Sequence, residues 1–137
     1  MQTSYPATFT AQAEGGYFVS FPDLPDTFTE GATLEEAHFN AAEVLSAMVG
    51  WHLDEGHTIP TPSIIDGAEY IAPDAKTQAV LLLRNARGNR SLSDLARAME
   101  TSWPQVQRLD NHTYWPSLRT LDRAARVLGK RLVLQMV

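Results

Sequence analysis

Two side chains in the run Ser102-Trp103-Pro104-Gln105-Val106-Gln107-Arg108-Leu109 have the chemistry to read nucleic acid. Arginine can give guanine two hydrogen bonds, and glutamine can do the same for adenine, both in the major groove. At about 100° per residue of helix, Val106 and Leu109 share an inward direction. That sends Pro104, Gln107 and Arg108 to the far side and Trp103 and Gln105 to the flanks. Gln107 and Arg108 then face base edges. The plainer alternative is a helical bundle in which both are solvated surface.

The other reactive types offer less. The absence of cysteine excludes disulfides and thiolate metal sites and suits a reducing compartment. Among the four histidines, His52 and His57 are five apart and so on different helical faces, and no other pair is matched. No metal ligand set, cofactor or catalytic residue is therefore expected.

A helix that presents Gln107 needs a partner helix across a tight turn, with a small residue where the two touch. Ala96 is that residue, and Leu95, Met99, Val106 and Leu109 are the apolar positions around it. The spacing predicts helices over Ser91 to Met99, Trp103 to Asn111 and Ser117 to Leu128, with Gly129 closing the last. A further helix opens at Pro73-Asp74 and runs to about Arg87, with Ala79, Leu82, Leu83 and Ala86 inward. Leu132, Leu134 and Met136 alternate as a final strand.

The N-terminal half follows a different period. Tyr5, Ala7, Phe9 and Ala11 alternate as a strand, Glu14-Gly15-Gly16 turns the chain, and Tyr17 to Phe21 returns as the second arm of a hairpin. A short third strand around Thr27 to Glu30 follows the Pro22 to Pro25 loop. Thr33-Leu34-Glu35-Glu36 has capping-box spacing and starts a helix that ends near Gly56. Leu34, Ala37, Ala41, Val44, Leu45, Met48 and Trp51 form its inner face. Ile59-Pro60-Thr61-Pro62-Ser63 is an extended connector, and Glu69 to Ala72 adds a strand. The module reads βββαβ, so the whole chain is α+β.

Charge divides at the same place. Residues 1–74 hold twelve of the sixteen acids and no lysine or arginine, while residues 75–137 hold all eleven basic residues against four acids. A basic half suits a polyanion and an acidic half suits a basic protein surface. Solubility alone is the bland alternative. The chain has neither a leader-like N-terminus nor eighteen consecutive apolar residues, so it is expected in the cytoplasm and not in a membrane.

Two resemblances sharpen these readings. DNHTYWPSLRTLDRAARVLGKRL resembles the segment after the recognition helix in phage-repressor-like (Cro and XRE-type) helix-turn-helix domains, a likeness covering roughly Thr77 to Leu132. It implies an interface with operator DNA made by Ser102, Trp103, Pro104, Gln105, Gln107 and Arg108, with backbone contacts from Asn111, Thr113 and Arg119. Glu100 departs from the pattern, standing where such turns place glycine, and positive φ at a non-glycine costs on the order of 1 kcal/mol.

The string EGGYFVSFPDLPDTFTEGATLEEAHFNAAEVLSAMVGWHLDEGHTIPTPS is similar to the N-terminal domain of the HicB antitoxin family. The features are Gly-Gly-Tyr, Phe-Pro-Asp-Leu-Pro, Glu-Gly before Thr-Leu-Glu-Glu-Ala, and Ile-Pro-Thr-Pro-Ser. The resemblance implies a degraded RNase H-like βββαβ domain over 1–72 that binds a small basic HicA-like ribonuclease toxin. It also implies a domain over 73–137 that represses the shared operon. A fold related to RNase H raises two-metal nuclease chemistry, but the first strand holds no acid and the other carboxylates lie on loops and helix starts, so no enzyme is expected.

The residues expected to face the toxin are Glu14, Asp23, Asp26 and Glu30, with Tyr17 and Phe21 beside them; Tyr17, Phe21 and Phe28 are of the type that anchors a partner, although aromatics in strands are more often core. Operators of such domains comprise two half-sites, so a homodimer or higher homo-oligomer is expected, held partly by the C-terminal strand. The competing reading is a stand-alone regulator whose N-terminal domain senses a small ligand.

Overall fold

Gly15 and Gly16 take φ values of 99° and 80°, which lets five residues reverse the chain between two strands. The turn closes with Gly15 N donating to Gln12 O and Gln12 N donating to Gly16 O, both at 3.0 Å. The computed structural model describes residues 3–137, and this hairpin begins a mixed α+β chain. Its elements are β1 (Tyr5–Ala11), β2 (Tyr17–Ser20), β3 (Phe28–Gly31), α1 (Leu34–Asp54), β4 (Glu69–Ile71), α2 (Ala75–Arg87), α3 (Leu92–Ala98), α4 (Trp103–Leu109) and α5 (Leu118–Val127). The chain folds as two compact units that meet between Thr77 and Gln78.

The first unit is a four-stranded sheet in the order β3-β2-β1-β4, antiparallel throughout. The loop after β2 is tied down by Phe21 N to Thr27 O, Leu24 N to Phe21 O and Thr27 N to Leu24 O, which buries Phe21, Leu24 and Thr27. The connector crosses back to this loop. Asp23 accepts from Ser63 N at 2.8 Å and from Ser63 Oγ at 2.5 Å, while the buried Tyr5 hydroxyl donates to Pro60 O at 2.7 Å. Burial, aided by the Asp23 charge, pushes the Tyr5 phenol up to about 12.

Helix α1 packs a stripe of Ala37, Ala41, Leu45, Val49 and Leu53, all buried. The inner face expected from sequence is rotated by this stripe: Leu34 and Trp51 are exposed, and Val44 and Met48 are half-buried. The cause is steric. A Cβ on Gly31 would lie 2.4 Å from Ala37 N and 2.7 Å from Ala37 Cα, so the helix backbone rests directly on β3 and presents small residues there. The helix start is capped as its spacing required, with Thr33 Oγ1 accepting from Glu36 N at 3.1 Å. The Glu36 carboxylate returns to Ala32 N at 3.4 Å, one residue before the position a full capping box uses. His38, stacked on Phe9 with ring centroids 4.4 Å apart, joins α1 to β4 through its Nε2 bond to Glu69. That bond, with a second to Leu34 O, holds the imidazolium above its ordinary value.

The second unit is helical. Leu83, Leu95, Ala96, Met99, Val106, Leu109, Ala124 and Leu128 form its core. Ser91 makes a full capping box at the start of α3, with Ser91 Oγ accepting from Asp94 N and Asp94 accepting from Ser91 N. These bonds, with Arg97 and Arg90 nearby, hold the Asp94 carboxyl below the usual range.

The strand expected over Leu132 to Met136 is not formed. The residues after Gly129 have no regular structure, and Val133, Leu134, Met136 and Val137 are exposed. A strand exists only with a hydrogen-bonded neighbour, and every strand among the described residues belongs to the first unit.

Gly31→Ala should destabilise the first unit by about 1–3 kcal/mol, the usual range for overpacking, or more, because the obstructing atoms are backbone. Urea unfolding followed by far-ultraviolet circular dichroism measures this, and an unchanged midpoint would show that α1 stands off the sheet.

Candidate functional site

The expected nucleic-acid surface is built on α4, which is held by what precedes it. Helix α3 ends with Glu100 N donating to Arg97 O at 3.1 Å and Thr101 N donating to Ala96 O at 3.0 Å. This is a Schellman closure, and its left-handed position falls on Glu100, φ 52°, the one non-glycine at positive φ among the described residues. Ser102 then opens α4 without a side-chain cap bond, and Pro104 occupies the first turn, where its missing N–H costs nothing.

Val106 and Leu109 are buried, and Ser102, Trp103, Pro104, Gln105, Gln107 and Arg108 are all exposed. Arg108 reaches only Gln105 Oε1, at 3.3 Å. In the loop that follows, Asn111 Oδ1 accepts from Thr113 N at 3.0 Å and from Thr113 Oγ1 at 2.8 Å, so these two residues shape their own turn. The Arg119 side chain has no hydrogen bond or ion pair among the described residues. It borders a hollow of about 170 Å³ with Gln105, Tyr114, Thr120 and Arg123.

Sequence alone could not show how many arginines are committed internally. Arg84 clamps Asp110 with bonds of 2.8 and 3.2 Å, and Arg87 approaches the same carboxylate at 3.7 Å. Arg90 donates to Ala86 O and Arg87 O at the end of α2, and Arg123 donates to Met99 O at the end of α3. Arg97 and Arg126 pair within their own helices with Asp94 and Asp122. Outward cations with little or no internal tie are thus Arg108 and Arg119, followed by Lys130 and Arg131.

In the first unit the expected partner-facing acids separate. Glu14 and Glu30 meet, together with Glu36, around an open hollow of about 550 Å³ floored by Gly15, Gly16 and Gly31. Gln12 donates to Glu30 at 3.4 Å on its rim. Asp26 is exposed on the loop before β3. Asp23 is already engaged by Ser63, Phe21 is core at 2% exposure, and Tyr17 is half-buried, so these three hold the scaffold more than they face outward.

Phe18, not singled out from sequence, and Phe28, which the sequence favoured as core over partner anchor, both face outward. Phe18 and Phe28 are 37% and 57% exposed, with ring centroids 6.0 Å apart, on the sheet face turned away from α1. The signal was strand parity: Phe18 alternates with the buried Val19, and the register places Phe28 opposite Ser20, on the same face as Phe18.

Residues 4–72 match the family described as HicB_like antitoxin of bacterial toxin-antitoxin system. The chain belongs to the HicB-like antitoxin family. Antitoxin HicB of Escherichia coli K12 is 32% identical over 97% of this chain and 99% of its own length. Two proteins of Photorhabdus laumondii extend the comparison. Antitoxin HicB 1 is 31% identical over 96% of this chain and 86% of its own length, and Antitoxin HicB 2 is 34% identical over 95% and 94%. The match between HicB-like proteins therefore continues past the sheet unit and through α2 to α5. Among the described residues of this HicB-like chain, no helix is long and apolar enough to cross a membrane.

Glycine at position 100 adopts the observed φ without the penalty of a side chain, so Glu100→Gly should stabilise the second unit by about 1 kcal/mol. Thermal unfolding compares the two proteins, and a lower midpoint in the variant would mean that the Glu100 side chain contributes more than its backbone costs.

Proposed function

We propose that this chain is a non-enzymatic antitoxin that binds and neutralises a HicA-like ribonuclease toxin and represses its own operon by binding operator DNA. In this reading α3 and α4 are a helix-turn-helix, and α4 is its recognition helix. The observation that carries the DNA-binding half is the orientation of α4, with Val106 and Leu109 locked in the core and Gln107 and Arg108 outward. Gln107 and Arg108 read base edges, while Ser102, Asn111, Thr113 and Arg119 position the backbone. The commitment of six arginines to internal partners sharpens the assignment, since it leaves Arg108 and Arg119 as the available cations of this surface.

The acidic unit is the toxin-binding domain. Family membership supports a toxin partner. The Glu14, Glu30 and Glu36 hollow supplies a receptor for a lysine or arginine on that partner's basic surface, and the exposed Phe18 and Phe28 supply apolar contact on the open sheet face. An unpaired apolar tail at residues 132–137 suits pairing with the same segment of a second copy, and a dimer gives two recognition helices for two half-sites.

On this basis Gln107→Ala or Arg108→Ala should cut discrimination between operator variants by about 1–3 kcal/mol. Arg119→Ala should weaken all sequences alike and lower the salt slope by about one. Titrating several operator variants at two salt concentrations separates the effects, and unchanged base preference in Arg108→Ala would mean that α4 does not enter the groove. Co-expression with the cognate toxin tests the other half: a Glu14→Lys, Glu30→Lys double variant should associate more slowly and with weaker salt dependence. An association rate equal to that of the unaltered chain would move the toxin interface off this hollow.

A further inference from the structure

Helix α1 ends in a left-handed closure of its own. Gly56, φ 72°, donates its N–H to Leu53 O at 3.2 Å, and His57 N donates to His52 O at 2.9 Å. This Schellman pattern returns the residue after the glycine to the side of the residue five before it, where an apolar contact usually sits. Here both positions are histidine. Their Nδ1 atoms are 2.9 Å apart, and the Trp51 ring lies edge-on to both, at 4.9 Å from His52 and 5.3 Å from His57. A spacing of five puts the two rings on different faces of a continuous helix, and the turn at Gly56 reverses that expectation.

The separation is that of a hydrogen bond between the two rings, and it also matches the bite of a chelate. With metal–nitrogen bonds of about 2.0–2.1 Å, two ligands at a right angle lie about 2.9 Å apart, whereas two tetrahedral ligands lie about 3.3 Å apart. Right-angle imidazoles suit adjacent positions of a tetragonal ion such as Cu(II) or Ni(II). The electrostatics agree: the C-terminal end of a 21-residue helix favours a cation, and residues 1–74 carry no lysine or arginine to oppose one.

We propose that His52 and His57 form a two-imidazole binding site for a divalent first-row transition ion, with Cu(II) held most tightly. The ring that donates its Nδ1–H in the free protein shifts to the Nε2–H tautomer, so that both Nδ1 lone pairs reach the ion. Among the described residues no group of three or more histidine, cysteine or carboxylate side chains assembles around a metal. Water therefore completes the coordination, and the affinity is below that of a closed four-ligand site.

The test uses the full chain, freed of metal by chelator, in a non-coordinating buffer. Cu(II) added stoichiometrically should quench Trp51 fluorescence and give a tetragonal paramagnetic resonance spectrum with two imidazole nitrogens. His57→Phe retains a ring beside His52 and keeps the cap apolar, and in this variant affinity should fall at least tenfold with unchanged helical circular dichroism. His52→Gln should do the same, while His112→Ala should leave binding as it is. Loss of quenching in Trp51→Phe, with the resonance spectrum retained, places the ion at this turn. Failure of the unaltered chain to bind Cu(II), or binding by His57→Phe and His52→Gln equal to that of the unaltered chain, would overturn the site.

Discussion

The backbone contact between Gly31 and Ala37 is the constraint on which the first unit rests. Because β3 has no side chain there, α1 can lie against the sheet with only a peptide's thickness between them. A helix so close must bring Ala37 and Ala41 to the contact and can widen to Leu45, Val49 and Leu53 only as it moves away. That rotation decides what lies outside. It turns Leu34 and Trp51 to solvent, and it brings His38 over Phe9 and within reach of Glu69. It also places Asn40 to donate to Glu30 O at 2.8 Å, which steadies the rim of the acidic hollow. The surface chemistry of this unit thus follows from one missing side chain.

In the second unit ion pairing plays the comparable part. Asp110 stands at the C-terminal end of α4, where a negative charge is unfavourable to the helix dipole. The bidentate clamp from Arg84, supported by Arg87, reverses that penalty and ties α4 to α2. Arg123 does a similar service for the exposed carbonyl end of α3. The short helices α3 and α4, seven residues each, are too brief to be stable alone, and these polar ties add to a small apolar core. The outward residues of α4 are presented by a frame that has consumed most of the local positive charge.

Much of this was legible in the amino-acid order because turns and caps are local. The two glycines after Glu14, the Thr33 cap, the Ser91 and Ser117 starts and Gly129 mark boundaries within a residue or two of those observed. The inward choice of Val106 and Leu109 needed only the helical repeat. What stayed hidden depended on partners remote in sequence. Asp23 looked available, yet Ser63, forty residues on, occupies both its oxygens. The inner face of α1 could not be chosen without knowing how near β3 would come. The arginines read as one basic reserve until their acceptors, mostly backbone carbonyls and Asp110, were in place. The alternation from Leu132 to Met136 is real, but alternation states only a preference, and a strand needs an edge to join.

The unequal distribution of charge has a chemical corollary. Lys76 is the first lysine or arginine in the chain, one residue before the division between the two units, whereas ten basic residues follow it. To a protease that cuts after basic side chains, residues 1–76 are a single uncut fragment and the helical unit is a ladder of short ones. Amine-directed labels meet only two side-chain amines, Lys76 at the boundary between the units and Lys130 after the last helix. A chain segregated in this way can be dismantled from one end while the other end persists whole, so the two activities proposed for it need not share a lifetime.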